Sequence, residues 1–221
     1  MARKRKRRTT SRRKKRSSST KWITTILVIL VVLMGGYIGH HLYQRHLQQE
    51  IIEKQQNSKR LFIKAIAPEA QAMQNQYHIK ASITMAQAIL ESNWGTSKLA
   101  SQYHNLFGIK GTGPNSKLMT TKEYTKGKWI VIKDRFKVYP SWSASIKDHT
   151  QLMLNGTQYK QENYEKVIKA QNYREAAQAL QDANYATDPD YASKLINVIK
   201  TYNLDKYDNY ENHYARIKRE N

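Results

Sequence analysis

Glu91 is the residue whose type and position best suit acid–base chemistry in this sequence. It ends a segment in which six of the eight residues 83–90 are Ile, Met, Ala or Leu. Apolar surroundings and the negative end of a helix dipole both disfavour a charged carboxylate, so they raise its pKa. A carboxylic acid that stays protonated near neutral pH can donate its proton to a leaving oxygen. On position alone, a solvated residue at a helix end is the commoner alternative.

Other kinds of catalytic centre find little support. The chain has no Cys, which excludes a disulfide framework, a Cys-ligated zinc site and a Cys nucleophile. His40 and His41 adjoin an apolar N-terminal segment, whereas His78, His104 and His149 are scattered. No H-E-x-x-H motif, Gly-rich phosphate loop or G-x-S-x-G motif occurs. We therefore expect neither a metal nor a cofactor.

The segment 82–91 predicts the helix that positions Glu91. Because it is apolar nearly all round, it belongs in the centre of a domain. Thr84 and Gln87 have capping-box spacing, and Ser82 is an alternative cap. The Gly-Thr-Ser sequence that begins at Gly95 marks the end of the helix.

A helix is also predicted before this central one. Its apolar face would contain six residues, and Pro68 would be the point of a kink. The face comprises Leu61, Ile63, Ala65, Ile66, Ala70 and Met73.

The pattern changes to a period of two between Leu118 and Tyr139. LMTTKEY and WIVIK flank Thr-Lys-Gly-Lys and predict a β-hairpin, with RFKVY as a third strand. Four helices are predicted after it. The first begins after Pro140, with one apolar stripe made of Trp142, Ile146, His149 and Met153. The second and third lie near 161–170 and 173–182. The fourth runs from Pro189 to Tyr202, with Asp188 as N-cap.

The first sixty residues differ in composition from the rest. Residues 1–21 hold twelve Lys/Arg and no acid, and residues 22–39 carry no charge. Eighteen uncharged, mostly apolar residues lie near the lower limit for a transmembrane helix. The basic segment should stay in the cytoplasm and the remainder should lie outside. We predict a basic cytoplasmic tail (1–21), a transmembrane signal-anchor (22–39), a stalk (40–60), a globular domain (61–207) and a polar tail (208–221).

The apolar segment has two other interpretations. A buried core helix would need a partner domain that the rest of the chain does not supply. A cleaved signal peptide would share the basic and apolar regions, but the apolar run is long for a signal. No clear A-x-A site follows it, since Gly35, Gly36 and Gly39 give only a weak small-residue pattern. An uncleaved anchor in the cell membrane is the better interpretation.

Three groups of segments carry a resemblance to a known family. They are AQAILESNWGTSKLA with YHNLFGIKG, then TTKEYTKGKWIVIKDRFKVYPSWSASIKDH, then NYATDPDYASKL. In this order they resemble the glucosaminidases of bacterial autolysins, glycoside hydrolase family 73 of the lysozyme-like superfamily, over residues 61–204. The resemblance implies an α+β, mostly helical, lysozyme-like domain with a small antiparallel β-hairpin lobe.

The resemblance also assigns roles to three residues. Glu91 matches the general acid of the family. Glu123 matches a hairpin glutamate proposed to position or activate water, or to stabilise an oxocarbenium-like transition state; a surface strand residue is the alternative. Tyr185, in Asn-Tyr-Ala-Thr-Asp-Pro, matches a cleft tyrosine considered important for activity. Its alternative is a packing role at a helix start.

Three mechanisms stay open at this point. Carboxyl groups about 6.5–9.5 Å apart permit attack by water with inversion, and a gap of about 5–5.5 Å permits a covalent intermediate. In the third mechanism the N-acetyl group of the substrate is the nucleophile, so no second carboxylate is needed at short range.

Aromatic and amide side chains are the candidates for binding a glycan, because sugar faces stack on rings and N-acetyl groups need hydrogen-bond partners. For any single ring, core packing is the competing role. The candidates are Trp94, Asn105, Phe107, Tyr124 and Tyr191.

The expected function is that of a membrane-anchored peptidoglycan hydrolase outside a Gram-positive-type cell, an endo-β-N-acetylglucosaminidase that cuts the β-1,4 bond after N-acetylglucosamine. A muramidase of the same fold and a catalytically weak glycan-binding module are the alternatives. The net charge of +21 suggests nucleic acid at first. However, the tail holds twelve of the cations, and the remaining 26 Lys+Arg against 17 Asp+Glu leave +9, which suits an anionic wall polymer. We expect no nucleic-acid partner.

Overall fold

The computed structural model describes residues 19–125, 128–157 and 162–208. The chain divides into two units, Met1–Gln55 and Gln56–Asn221. The described elements are α1 (Ser19–Tyr77), α2 (Ala81–Ser92), α3 (Lys98–Tyr103), β1 (Ser116–Thr125), β2 (Lys128–Lys137), α4 (Trp142–Asn155), α5 (Glu165–Lys169), α6 (Tyr173–Asp182), α7 (Tyr191–Tyr202) and a 3-10 helix (Leu204–Asp208).

The first unit contains the apolar segment of α1. Among the described residues, one helix is long and apolar enough to cross a membrane, with a mean hydropathy of 2.2 over 18 residues. None of that window is buried inside the protein, which argues against the core-helix interpretation. The helix continues through the segment predicted as a stalk.

In the second unit, α1 presents an apolar face that differs from the predicted one. Leu61 is 55% exposed and Ala65 is also exposed, so the prediction was wrong for both residues. The helix continues through Pro68. The face that packs into the core consists of Phe62, Ile66, Ala67, Ala70 and Met73.

Helix α2 is the central helix that the sequence predicts, because every residue from Ala81 to Ile89 is buried. The predicted caps were wrong, however, since no side chain at the N-cap position bonds the first turn. Gln74 Oε1 instead accepts the Ala81 N–H at 2.6 Å. Asp208 accepts the Ser82 N–H at 2.8 Å and the Ser82 hydroxyl at 2.7 Å. Side chains from the end of α1 and from the 3-10 helix therefore satisfy the first two amides of α2.

The hairpin consists of two strands among the described residues. β1 pairs antiparallel with β2 in a register that runs from Ser116–Lys137 to Thr125–Lys128. The predicted third strand was wrong, because residues 135–137 continue β2 and no turn separates them from it. An isolated bridge joins Lys110 to Phe136 near the base of the hairpin. Residues 126 and 127 of the predicted turn lie outside the described residues.

The helices after the hairpin follow the predicted order. In α4, Ile146, His149 and Met153 are buried as the stripe predicts. α6 is found where it was predicted, and α5 is shorter than predicted, with residues 158–161 outside the described set. The predicted start of the last helix was wrong. Asp188 accepts the Asp190 N–H at 2.9 Å in a turn that precedes the helix.

One hydrophobic core joins these elements, with residues from α1, α2 and α4 to α7 packed together. Among the hairpin side chains that the structure describes, one apolar residue is buried, Phe136, at 6% exposed. The predicted class, α+β and mostly helical with a small antiparallel hairpin, is confirmed.

Candidate active site

Glu91 lies in the last turn of α2, where the helix ends at a left-handed C-cap, Asn93. Its side chain is exposed, and Oε1 accepts a hydrogen bond of 2.8 Å from the hydroxyl of Tyr191 on α7. The protein atoms around the carboxyl displace water and raise the pKa of Glu91, whereas the Tyr191 hydrogen bond lowers it by a smaller amount. The result is a solvent-accessible carboxyl group that holds its proton more firmly than an ordinary glutamate.

Tyr191 is the hydrogen-bond donor that orients Glu91. It is 3% exposed, and its oxygen accepts a 3.4 Å hydrogen bond from Nε2 of Gln87. Burial, followed by the neighbouring Tyr185 and Glu91, raises the pKa of Tyr191 well above its ordinary value. The hydroxyl therefore remains protonated and available as a donor. Gln87, Tyr191 and Glu91 form a connected polar series from the core to the solvent.

A set of aromatic rings lies behind this series. Tyr185 stacks on Tyr191 with centroids 5.7 Å apart, and it meets Tyr164 and His149 edge to face at 5.9 Å. His149 in turn stacks on Phe107 at 3.9 Å. Burial lowers the pKa of His149 to about 3, against a weaker opposite effect of the charge on Asp148, so the ring is neutral at physiological pH. Rings with fixed mutual contacts hold Tyr191 in place.

The chain turns sharply after Glu91 and carries Trp94 into a different contact. Asn93, Trp94 and Gly95 have φ of 49°, 61° and 72°, three consecutive left-handed residues. The Trp94 ring packs edge to face on Phe62 at 6.2 Å and on Tyr202 at 4.6 Å. These are the contacts of a packing residue, and none of them joins the Tyr191 rings.

Gly95 is required in this turn for space as well as for conformation. A Cβ at this position would lie 2.7 Å from Phe62 Cε2 and 2.8 Å from Trp142 Cζ2. The Gly95 N–H donates to Ser92 Oγ at 2.7 Å, which ties the turn to the last residue of α2. The Trp-Gly pair after Glu91 thus fixes the end of the helix that carries the carboxyl group.

Asn105 holds the base of the hairpin. It is 1% exposed, and its amide donates to the carbonyl oxygens of Ile109 and Lys137, each at 2.9 Å. Its Oδ1 accepts the Ile109 N–H at 3.1 Å. Both amide hydrogens are therefore used within the protein, which argues for a structural role rather than contact with a glycan.

Glu123 and Tyr124 lie near the far end of β1. Their Cα partners on β2 are Ile130 and Trp129. Their side chains lie outside the described set, so their predicted roles stay predictions.

Comparisons with known proteins identify the family of the chain. A family model described as mannosyl-glycoprotein endo-beta-N-acetylglucosaminidase matches residues 67–204. The chain belongs to this glucosaminidase family. The match contains Glu91, the hairpin and the Tyr191 rings, whereas Phe62, which packs on Trp94, lies just before it.

Relatives of this glucosaminidase-family chain support the assignment. Exo-glucosaminidase LytG of Bacillus subtilis is 44% identical over 162 residues, which are 73% of this chain and 56% of LytG. A probable N-acetylmuramidase of Lactococcus lactis is 38% identical over 72% of this chain and 37% of its own length. The chain thus spans about half the length of LytG, and a smaller share of the second relative.

A solved structure has the same fold. The catalytic domain of the autolysin Auto from Listeria monocytogenes matches with a TM-score of 0.64 and 36% identity, over 73% of this chain and 97% of that domain. This likeness confirms the fold that the resemblance predicted.

Three members of the site were not identified as such from the sequence. Gln87 was interpreted as a helix cap, His149 as a scattered histidine, and Tyr164 was not singled out. The apolar stripe of α4 indicates that His149 is buried, but no local signal places it on Phe107. Within the described ranges, no group of three His, Cys, Asp or Glu could hold a metal ion.

Proposed function

We propose that this chain is a membrane-anchored peptidoglycan hydrolase that cleaves the β-1,4 bond after N-acetylglucosamine within glycan strands. Membership of the glucosaminidase family and the likeness to the catalytic domain of an autolysin support the substrate class. The chain shares 44% identity with an enzyme named an exo-glucosaminidase, which supports the bond cleaved. Cleavage within strands, rather than from an end, is the part of the proposal that the product sizes below test.

The observation that carries this proposal is the environment of Glu91. Its carboxyl is open to solvent, has a raised pKa and is oriented by a hydroxyl donor 2.8 Å away. Such a group can protonate the glycosidic oxygen as the bond to the sugar breaks. In this proposal Glu91 is the general acid, and Tyr191 fixes its orientation.

Glu123 and Tyr185 complete the proposed machinery. Glu123 would position or activate water, or stabilise positive charge on the sugar ring, from the hairpin. Tyr185 would contribute from the turn before α7, where its ring stacks on Tyr191. Burial, followed by the charge on Glu91, raises the pKa of Tyr185 well above its ordinary value.

The anchor is the second part of the proposal. The uncharged segment 22–39 would span the membrane, with residues 1–21 in the cytoplasm and the glucosaminidase domain on the wall side. The absence of Cys allows a direct test by single-cysteine labelling. In intact cells, a membrane-impermeant maleimide should label Ser101→Cys and not Ser17→Cys. Labelling of both, or of Ser17→Cys alone, would refute this topology.

The cleavage specificity has a decisive chemical test. Purified full-length chain in an uncharged detergent is incubated with purified wall, and the new reducing ends are reduced and identified by mass spectrometry. We expect reduced N-acetylglucosamine ends. The size of the early products then distinguishes cleavage within a glycan strand from cleavage at its end, because the first gives long fragments and the second gives small ones.

A muramidase is the second candidate, favoured by the 38% identity to the probable N-acetylmuramidase. Reduced muramic acid ends in the same experiment would establish it and overturn the glucosaminidase proposal. Release of no fragments, with the chain bound to the wall, would instead support a glycan-binding module.

A further inference from the structure

A basic cavity, whose lining does not include Glu91, lies between α1 and the C-terminal end of the domain. Its volume is about 680 Å³. Three of its cations, Lys59, Arg60 and Lys64, come from α1, and Lys206 comes from the 3-10 helix. None of the residues that line it is acidic. We call it the basic groove.

The cations of the basic groove lack the carboxylate partners found elsewhere in the domain. Lys110 pairs with Asp134 at 2.7 Å and Lys137 with Asp148 at 2.8 Å. Within the described ranges, by contrast, no carboxylate pairs with Lys59, Arg60, Lys64 or Lys206. Four unneutralised cations around one cavity create a positive potential that favours an anionic ligand.

Aromatic rings hold part of this charge in place. Lys59 Nζ donates to the Tyr202 hydroxyl at 3.2 Å and lies 5.0 Å from the centroid of the Trp94 ring. Lys206 Nζ lies 5.1 Å from the centroid of the Tyr207 ring. Cation–π contacts of this kind restrain a flexible lysine and leave donors free for a ligand.

We propose that the basic groove binds a phosphodiester polymer, the class of anion that a wall-facing enzyme would meet as a polyanionic chain. Lys59 and Lys64 lie five residues apart, about 7.5 Å along the helix axis, so the positive charge is spread along the cavity. Spread charge suits a ligand with repeated negative groups. A lipid headgroup has the same phosphate chemistry, but the groove offers one aliphatic residue, Ile63, for an acyl chain.

Full-length chain in uncharged detergent tests this with a synthetic oligo(glycerol phosphate) as the probe. The groove variant combines Arg60→Gln, Lys64→Gln and Lys206→Gln, all exposed positions. The control removes the same charges elsewhere with Arg174→Gln, Lys98→Gln and Lys166→Gln, also exposed. We expect the groove variant to lose affinity at least about tenfold and the control less than about twofold. The logarithm of the association constant falls with the logarithm of the salt concentration. In the groove variant the magnitude of this negative slope should decrease by about two to three, since each cation neutralises roughly one phosphate.

Hydrogen exchange locates the probe. Protection on residues 56–64 and 201–207 is expected, and protection confined to residues 1–21, or an equal loss in both variants, would overturn the proposal. A charge-conserving variant, Arg60→Lys with Lys64→Arg and Lys206→Arg, should keep its affinity within about threefold. If it also loses binding while thermal unfolding is unchanged, positive charge is not the determinant and the proposal fails.

Two further measurements complete the test. One distinguishes a phosphodiester polymer from a lipid headgroup, and the other distinguishes the groove proposal from the proposed hydrolase activity. Nanodiscs with phosphatidylglycerol, compared with phosphatidylcholine nanodiscs, should give no added protection of the groove; protection there without any from the probe would assign the groove to lipid. Binding is measured without cleavage. Inactivity on wall glycan with intact probe binding would therefore refute the proposed hydrolase and leave the basic groove assigned.

Discussion

The helix that carries Glu91 and the hairpin that carries Glu123 belong to one domain but are held in different ways. Every residue of α2 from Ala81 to Ile89 is buried. On the hairpin, Leu118 is 53% exposed and Val131 is 64% exposed. The helix that carries Glu91 is therefore part of the core, whereas Glu123 belongs to two paired strands that are fixed mainly at their base.

The contrast suggests that different contacts hold the two elements that carry these glutamates. A two-stranded hairpin is marginally stable by itself, so contacts at its base must position it. Asn105, Phe136 and the Lys137–Asp148 pair provide those contacts. We infer that packing fixes the helix that carries Glu91, whereas a small number of contacts at its base fix the hairpin that carries Glu123.

The largest effect is expected for Glu91→Gln, which removes the proton donor and keeps the shape. Wall cleavage should fall about a thousandfold, within the range for general acid catalysis. Fragment release is the measurement, and Glu162→Gln, an exposed acid elsewhere, is the control. Activity within about threefold of the parent would refute the role of Glu91.

The same variant should not be less stable at neutral pH. The pKa of Glu91 is raised above its ordinary 4.5 on folding, so this group favours the folded state below pH 4.5 and loses that contribution as the pH rises through the folded value. Gln has no such loss. A melting temperature at pH 7 equal to or above that of the parent is expected, and a clear decrease would contradict the raised pKa.

Glu123→Gln tests the hairpin side of the comparison. If this residue positions or activates water, cleavage should fall about a hundredfold with no change in melting temperature. An unchanged rate would favour attack by the N-acetyl group of the substrate. The stereochemistry of the first-formed product, measured by NMR, then distinguishes inversion from retention.

Asn105→Ala should loosen the base of the hairpin. It leaves the Lys137 carbonyl and the Ile109 N–H without their partner, whereas the Ile109 carbonyl keeps the Lys137 N–H at 2.9 Å. We expect a cost of about 2 kcal/mol in the free energy of unfolding. Asn115→Ala is the control, since Asn115 is exposed, and should change stability by less than about 0.5 kcal/mol. Equal values from urea unfolding would refute the anchoring role.

Tyr191→Phe removes the donor that orients Glu91 and keeps the ring stack. We expect kcat to fall about tenfold, which corresponds to an increase of about 1.4 kcal/mol in the activation free energy. The hydrogen bond stabilises the charged carboxylate, so its loss raises the pKa of Glu91 further. The fall of kcat/KM at high pH should therefore move to higher pH. A matched Tyr77→Phe variant should show neither change, and an unmoved pH profile in Tyr191→Phe would contradict the proposed role.

The smallest effect is expected at the exposed surface of the hairpin. Val131→Thr should alter the free energy of unfolding by less than about 0.5 kcal/mol, whereas Ile89→Val in α2 should cost about 1 kcal/mol. Thermal unfolding of both variants checks this. Equal losses would show that the hairpin is as tightly packed as the core.

Local patterns in the sequence predicted where the helices and strands lie more accurately than they predicted the contacts between them. The apolar run before Glu91 was enough to place α2 in the core, because no other position buries a helix that is apolar all round. Strand β2 was divided wrongly at Asp134, a residue type common in turns, because Asp134 lies inside the strand and pairs with Met119 on β1. The start of α7 was misplaced because the Asp188 side chain closes a turn ahead of the helix.

The contacts of the site depend on long-range packing. Tyr191 donates to Glu91 across 100 residues of sequence, so no local pattern could connect them. Trp94 is only three residues from Glu91, yet the left-handed turn directs its ring to Phe62 and Tyr202. Closeness in sequence to Glu91 therefore does not determine which rings lie beside it.

The Asp208 bonds to Ser82 have a practical consequence for where the chain can be cut. A fragment that stops at residue 204, the end of the family match, would lose the carboxylate that caps the Glu91 helix. One that begins at residue 67 would lose Phe62 and Ile66 from the core. The smallest fragment that keeps these contacts therefore extends beyond the family match at both ends and reaches at least to Asp208, which holds the first turn of the Glu91 helix.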